Sequence, residues 1–281
     1  MKKIKRSQRM VDLTHILLTH PHQLFSLPYF VEKYDVAKSS LSEDLAIMNE
    51  QFHRSGIGRV ETTTGASGGL QFIPAMPLEQ AQATVETLCE KLTDNERILP
   101  GGYFYLTDVL SDPQWLRELG TIIASIYQEA EVTAIMTIAT KGIALASAVA
   151  ANLNVPFVTV QRDIDQTEGS TVSVNYVSGH SPNETVQKML LTKNSLPRGS
   201  RVLLVDDFMN SGGTLTGMLG LIQEFDSTCV GGIVLGELAD DKEEITFPYQ
   251  SLVVIEKTPD NHSVSAVRPG SLFYMNETPA N

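Results

Sequence analysis

At 281 residues the chain exceeds one average domain and favours two, and its 42% hydrophobic content supplies a buried core. Two distant cysteines, Cys89 and Cys229, form no Cys-x-x-Cys pair, which argues against a disulfide scaffold or zinc ribbon and fits a reducing cytoplasm. The net charge of −12 is uneven: through residue 74 there are nine Lys/Arg against seven Asp/Glu, so the acidic excess lies beyond.

Five of those nine basic residues fall in the first nine positions, Lys2, Lys3, Lys5, Arg6 and Arg9. A basic arm ahead of an acidic body suits a polyanion partner. It does not read as a secretion signal, because Asp12, His15 and His20 interrupt the apolar run that a signal needs. No apolar run approaches the roughly 20 residues that cross a bilayer. The expectation is a cytoplasmic protein with no membrane partner.

Met10, Leu13 and Leu17 recur at helical spacing and predict a helix over about 7–19. Leu27, Phe30, Val31 and Tyr34 mark a second helix, and Leu41, Leu45, Met48 and Phe52 a third. Ser40 with Glu43 reads as a capping box at the start of that third helix. "GRVETTTGASGGLQFIP" then gives two short strands around a Gly/Ser/Thr tip. Three helices and a hairpin over 1–74 are similar to a winged helix-turn-helix, whose third helix enters the major groove N-terminus first. Lys38, Ser39, Ser40 and Ser42 become contact candidates, with Arg59 at the wing and Lys5, Arg6 and Arg9 on the arm. Asp44 opposes this reading, and nothing in the local pattern accounts for it. His20 and His22 flank a proline at a helix end with no cysteine near, which does not make a zinc site.

Residues 75–97 form a connector containing one amphipathic helix, "LEQAQATVETLCEKL". It either packs two subunits together or links domains.

From about 98 to 281 the pattern becomes alternating strands and helices. "VTAIMTIA" is a buried strand, followed by "TKG" and an alanine-rich helix; "PFVTV", "RVLLVDD" and "CVGGIVLGEL" are further strands, the last two flanking the helix "TLTGMLGLIQEF". That alternation implies a mostly parallel α/β sheet flanked by helices, with ligands at the carboxyl ends of strands. "ATKG" and "DDFMNSGGT" both fall at such ends. "SLVVIEK" and "VSAVRPG" read as a small hood over the site.

The stretch "VLLVDDFMNSGGT" carries the chemistry. Gly212 and Gly213 let backbone wrap an anion, and Thr214 opens a helix whose free N–H groups favour phosphate. Asp206 and Asp207 repel phosphate, so their partners are hydroxyls or a metal ion. One short link, Phe208, Met209, Asn210 and Ser211, separates acids from cradle, about the span of one sugar. A ribose 5-phosphate offers both a diol and a phosphate. Neither a P-loop nor a dinucleotide glycine motif after a strand is present.

This stretch looks like the phosphoribosyl pyrophosphate (PRPP) signature of type I phosphoribosyltransferases. The resemblance implies a pyrophosphate-holding loop at Ala139, Thr140, Lys141 and Gly142, a flexible loop over 161–180 with Arg162 as its contact, and Tyr103 as a residue that lines the pocket or fills the core. Over residues 6–218 the chain resembles the purine operon repressors of Gram-positive bacteria, through "RSQRMVDLTHILLTHPHQL", "AKSSLSEDL", "ERILPGGYFYLTDVL", "TIATKGI", "TEGSTVSVNYVSG" and "VDDFMNSGGTLTGM". The resemblance implies a winged helix fused to a phosphoribosyltransferase-like domain, a homodimer on DNA upstream of purine genes, and PRPP as effector rather than substrate. A catalytically active purine phosphoribosyltransferase is the alternative, and an RNA- or partner-binding scaffold a third reading. Magnesium can accompany the PRPP phosphates, and guanosine tetraphosphate has groups that could compete for the same pocket.

Overall fold

Leu13, Leu17, Phe30, Leu41, Leu45, Met48 and Phe52 meet in one apolar cluster with Leu70 and Phe72. In the computed structural model, which describes residues 4–63, 65, 68–93, 97–99, 104–163, 169–178, 185–239, 247–258 and 263–273, they lie on α1 (Arg6–Thr19), α2 (Leu27–Tyr34), α3 (Lys38–Arg54) and β2 (Gly69–Pro74). β2 pairs antiparallel with β1 (Gly58–Thr63), Gly58 facing Pro74 and Thr63 facing Gly69. Phe25 borders this hairpin, its N–H donating to Leu70 O at 2.9 Å and its carbonyl accepting from Leu70 N at 2.8 Å. Three helices closed by a wing are the winged-helix arrangement that the apolar spacing predicted.

The capping box does not form. Helix α3 begins at Lys38 with Ala37 as its N-cap and no side-chain cap. Leu41 N already donates to Ala37 O at 3.2 Å, so Ser40 sits inside the first turn. Docking of Leu41, which is fully buried, fixes the register one turn earlier than the Ser/Glu pattern implied. Glu43 faces outward to Arg6, 3.9 Å away.

The connector helix α4 (Leu78–Leu92) contributes Ala81, Val85, Leu88, Cys89 and Leu92 to the same cluster as Ile135, Leu145, Leu235 and Leu252. It therefore covers the central sheet.

That sheet has the order β10-β9-β8-β7-β3-β4. Strands β3 (Ala134–Ile138), β4 (Phe157–Val160), β7 (Arg201–Met209), β8 (Thr228–Leu238) and β9 (Tyr249–Lys257) run parallel, and β10 (Val264–Pro269) is an antiparallel edge. Alternate residues of β7 point to opposite faces. Leu203 and Val205 join the cluster under α4, α6 (Pro113–Tyr127) and α7 (Gly142–Leu153), while Val202 and Leu204 join the one under α8 (Gly213–Glu224). A short helix, α5 (Thr107–Leu110), leads into α6.

Two expectations fail here. "SLVVIEK" and "VSAVRPG" are β9 and β10 of the main sheet rather than a hood. Leu252, Val253 and Ile255 are fully buried, so this run is sheet interior. The stretch expected as a flexible loop holds β5 (Thr171–Ser178), paired along its length with β6 (Thr185–Thr192) in an antiparallel hairpin. Val172, Val174 and Tyr176 pack beneath α8, and this alternation is what sets the strand. Residues 164–168 and 179–180 of that stretch lie outside the described residues, as does Tyr103. Among the described residues, no helix is long and apolar enough to cross a membrane.

Candidate functional site

Neighbouring parallel strands β3 and β7, with Ala134 opposite Val202 and Met136 opposite Leu204, deliver both predicted loops to one sheet end. Ala139 to Gly142 leads from β3 into α7, and the Ala139–Thr140 peptide is cis. On the neighbouring strand Asp206 and Asp207 belong to β7 itself; the turn follows, and α8 starts at Gly213. Gly212 is its N-cap at φ 101°, a conformation that only glycine adopts without strain. The first amides of α8 thus open onto the same end of the sheet.

Asp206 is 3% exposed. Asp207 N donates to Asp206 Oδ1 at 2.9 Å. Burial, then the facing Asp207 carboxylate, pushes the Asp206 carboxyl well above the usual carboxylate range. Burial also raises Asp207, which Asp206 and Lys141 pull part of the way back. Both carboxyls are thus pushed towards the neutral form by burial, and their titrations are linked through the contact between them. Arg162 acts on Asp206 in the opposite sense to burial. The acid pair is therefore flanked by exposed cations from two other segments, Lys141 and Arg162.

Gly142 fixes how closely the β3 loop approaches. A Cβ there would run into Thr137 Oγ1 and Asp206 Oδ1. Thr137 is a member of the site that the sequence did not single out. It is fully buried, and its hydroxyl has no hydrogen-bond partner among the described residues. The signal was a lone hydroxyl in the apolar run Ala134–Ile138, on the strand beside the acid pair.

The remaining pocket candidates divide. Thr140 and Asn210 are exposed, Ser211 and Gly213 are buried in the turn, and Thr214 is half-buried in the first turn of α8. Phe208 and Met209, both expected at the ligand, turn their side chains away. The Phe208 ring stacks on Phe104 at 6.0 Å and 9°, and Met209 is buried in the cluster under α8. Alternation at the strand end sends one side chain into each core, leaving their backbone to line the turn.

On the winged helix, Lys5, Lys38, Ser39 and Ser42 are exposed and Ser40 is half-buried. Ser42 Oγ donates to Lys38 O at 3.0 Å. Three arginines that were expected to face DNA pair with carboxylates of the chain itself. Arg9 is buried, and its Nε donates to Asp44 Oδ2 at 2.6 Å. Arg6 remains half-exposed but donates to Asp44 Oδ1 at 2.7 Å. Asp44, fully buried, is the acid that the sequence left unexplained: it ties α1 to α3. Arg59 turns inward from the wing, its Nη2 lying 2.6 Å from Glu61 Oε1 and its Nη1 donating to Gln128 Oε1 at 2.9 Å. In this arrangement Arg9 and Arg59 are each paired with a carboxylate of the chain itself.

Residues 5–74 match the family described as bacterial purine repressor, N-terminal, and residues 106–270 match the phosphoribosyl transferase domain. The purine biosynthesis transcriptional repressor PurR of Bacillus subtilis is 49% identical over 253 residues, covering 90% of this chain and 88% of that protein. The purine biosynthesis transcriptional activator PurR of Lactococcus lactis (strain IL1403) is 43% identical over 270 residues, 96% of this chain and 99% of that one. Among solved structures, the adenine phosphoribosyltransferase of Rhodothermus marinus is similar in fold, with a TM-score of 0.51 at 22% identity over 60% of this chain and 97% of that one.

Proposed function

The chain belongs to the bacterial purine repressor family of transcription regulators, and from that premise we propose that PRPP is the effector held at the β3–β7 sheet end. As a member of that family it is a DNA-binding regulator of purine-biosynthesis transcription, with a winged helix joined to a phosphoribosyltransferase-type domain. Relatives carry names of both signs, repressor and activator.

One observation carries the ligand: a buried acid pair stands beside a glycine N-cap, with a second backbone loop pressed against it. Hydroxyls of the ribose would donate to Asp207 and Asp206. The 5-phosphate would take the free amides of the α8 first turn, where the helix dipole favours an anion. The pyrophosphate would lie along Ala139–Gly142, with Lys141 and Arg162 supplying positive charge. Magnesium fits as an ion carried by the pyrophosphate oxygens. No group of three or more His, Cys, Asp or Glu stands ready to cage it among the described residues.

PRPP would act by binding two states of the protein with different affinity, since equal affinity would shift nothing. Guanosine tetraphosphate offers pyrophosphates on a ribose and would compete for the same groups. We assign the domain to effector binding rather than transfer. A transferase needs, besides PRPP, groups that read a nucleobase and help pyrophosphate leave, and the segment expected to form a hood is sheet interior. The protein would work in the cytoplasm as a homodimer on upstream DNA of purine genes.

Calorimetry with PRPP, paired with gel shifts on purine-gene control DNA with and without PRPP, tests the reading. Saturable binding and an altered operator Kd are expected. Folded protein that gives no heat with PRPP, or that releases pyrophosphate from PRPP and a purine base at ordinary enzyme rates, overturns it.

A further inference from the structure

Arg59 sits on the wing of the DNA-reading unit, yet its guanidinium reaches the end of helix α6 in the other unit. Its Nη1 donates to Gln128 Oε1 at 2.9 Å, and its Nη2 lies 3.8 Å from Glu129 Oε1. Beside this contact, Met76 N, just past the wing, donates to Ser125 Oγ at 2.9 Å on the last turn of α6. Gln128 is the C-cap of that helix. Three side chains at the end of α6, Ser125, Gln128 and Glu129, therefore face Arg59 on the wing or the chain just past it. Their contacts are hydrogen bonds or ion pairs with defined geometry, which can be made or lost as a unit, whereas an apolar contact slides.

Helix α6 in turn is clamped to α7. A Cβ on Gly120 would lie 2.9 Å from Ala148 Cβ, so the two helices approach at backbone distance. Thr121 Oγ1 donates to Asn152 Oδ1 at 3.2 Å along the same contact. Helix α7 starts at Gly142, the glycine pressed on Thr137 and Asp206 in the pocket. A close-packed pair of helices transmits displacement because its interface cannot deform continuously. From the acid pair to the wing there is thus an unbroken chain of contacts through Gly142, α7, the Gly120–Ala148 crossing and α6.

We propose that the polar contact of Arg59 and Met76 with the end of α6 is the coupling latch through which the effector pocket sets the pose of the wing. Arg59 is a positioning residue in this role and makes no phosphate contact. The proposal rests on the PRPP reading of the pocket. Ligand drawn against Gly142 displaces α7 and α6 together, and the latch carries that displacement to β1. Loss of the latch leaves both units folded and both sites intact, but uncouples them.

The test removes the latch from its α6 side, where no DNA or effector contact is assigned. Gln128→Ala with Ser125→Ala is compared with wild type for PRPP affinity by calorimetry and for operator Kd with and without PRPP. Wild type is expected to shift its operator Kd within the roughly 5- to 150-fold range of allosteric couplings. The double variant should bind PRPP as wild type does, bind operator as wild type does without effector, and shift less than about threefold. A double variant with the full wild-type shift overturns the latch and leaves the PRPP reading standing. A wild type that neither binds PRPP nor responds to it overturns that reading, and the latch with it. Arg59→Ala supplies the second discrimination. The slope of log K against log salt should stay at the wild-type value, whereas a lost phosphate contact would flatten it by about 0.9 and overturn the assignment of Arg59.

Discussion

Asp44 and Arg9 form a buried ion pair between the recognition helix and the first helix, with Asp44 Oδ2 accepting from Arg9 Nε at 2.6 Å and Arg6 completing the acid's other oxygen. Both carboxylate oxygens are satisfied, so the buried charge is compensated at both ends. Removing one partner strands the other. Asp44→Ala should destabilise the N-terminal unit by about 3–5 kcal/mol, read as a lower midpoint in urea unfolding. Unchanged stability would mean that the two helices are held by their apolar seam alone.

Asp206 should be a stability cost that ligand binding repays. Its folded proton affinity is raised, so relative to the unfolded chain its contribution is intact below the unfolded value near 3.8 and is lost as pH rises through the folded one. Asp206→Asn removes the group that must ionise. At pH 7 the variant is expected to gain about 0.5–2 kcal/mol and to lose the PRPP response. The gain should fade as pH falls towards 4. Melting curves at both pH values, with a PRPP titration beside them, check all three.

Gly142→Ala inserts a methyl between the β3 loop and the acid pair. That methyl would run into Thr137 Oγ1 and stand 2.7 Å from Asp206 Oδ1, so the loop must back away from the acid pair, which weakens each pyrophosphate hydrogen bond. The PRPP Kd should rise at least about tenfold, equivalent to ~1.4 kcal/mol. Operator binding without effector should not change. Calorimetry and gel shift measure the two separately.

Lys38 is exposed at the first position of α3, the end that would point into the groove. Lys38→Ala should lower operator affinity and flatten the slope of log K against log salt by about 0.9. An unchanged slope would remove Lys38 from the phosphate contacts.

Asp108 holds Arg97 through two hydrogen bonds of 2.8 and 2.9 Å. That guanidinium, with Lys91 behind it, keeps the carboxyl well below its usual range despite partial burial. The depressed affinity contributes stability above the unfolded value near 3.8 that is lost as pH falls through the folded one. Asp108→Asn should therefore lower the melting temperature at pH 7 and converge with wild type in strong acid.

What the sequence disclosed is what is encoded over short spans. The helical stripes of α1 and α3, the apolar strands and the two loops at their carboxyl ends depend on spacing within about twenty residues, and each formed where expected. Long-range pairing was invisible. Asp44 finds Arg9 35 positions away, and Arg59 finds Gln128 69 positions away, so neither acid nor base announces its partner locally. The hairpin of β5 and β6 is a different miss. Val172, Val174 and Tyr176 alternate with polar residues as a strand requires, but the expectation of a mobile loop overrode the pattern. Thr137 carried a legible signal, a hydroxyl in an apolar strand, whose meaning depended on knowing which strand lay beside it.

Three arginines on the DNA-reading unit, Arg6, Arg9 and Arg59, are committed to carboxylates, while Lys5 and Lys38 stay at the surface. The pairing of these arginines fixes α1, α3 and the wing relative to one another and to the end of α6, so the surface that a duplex would meet is shaped by ion pairs inside the protein.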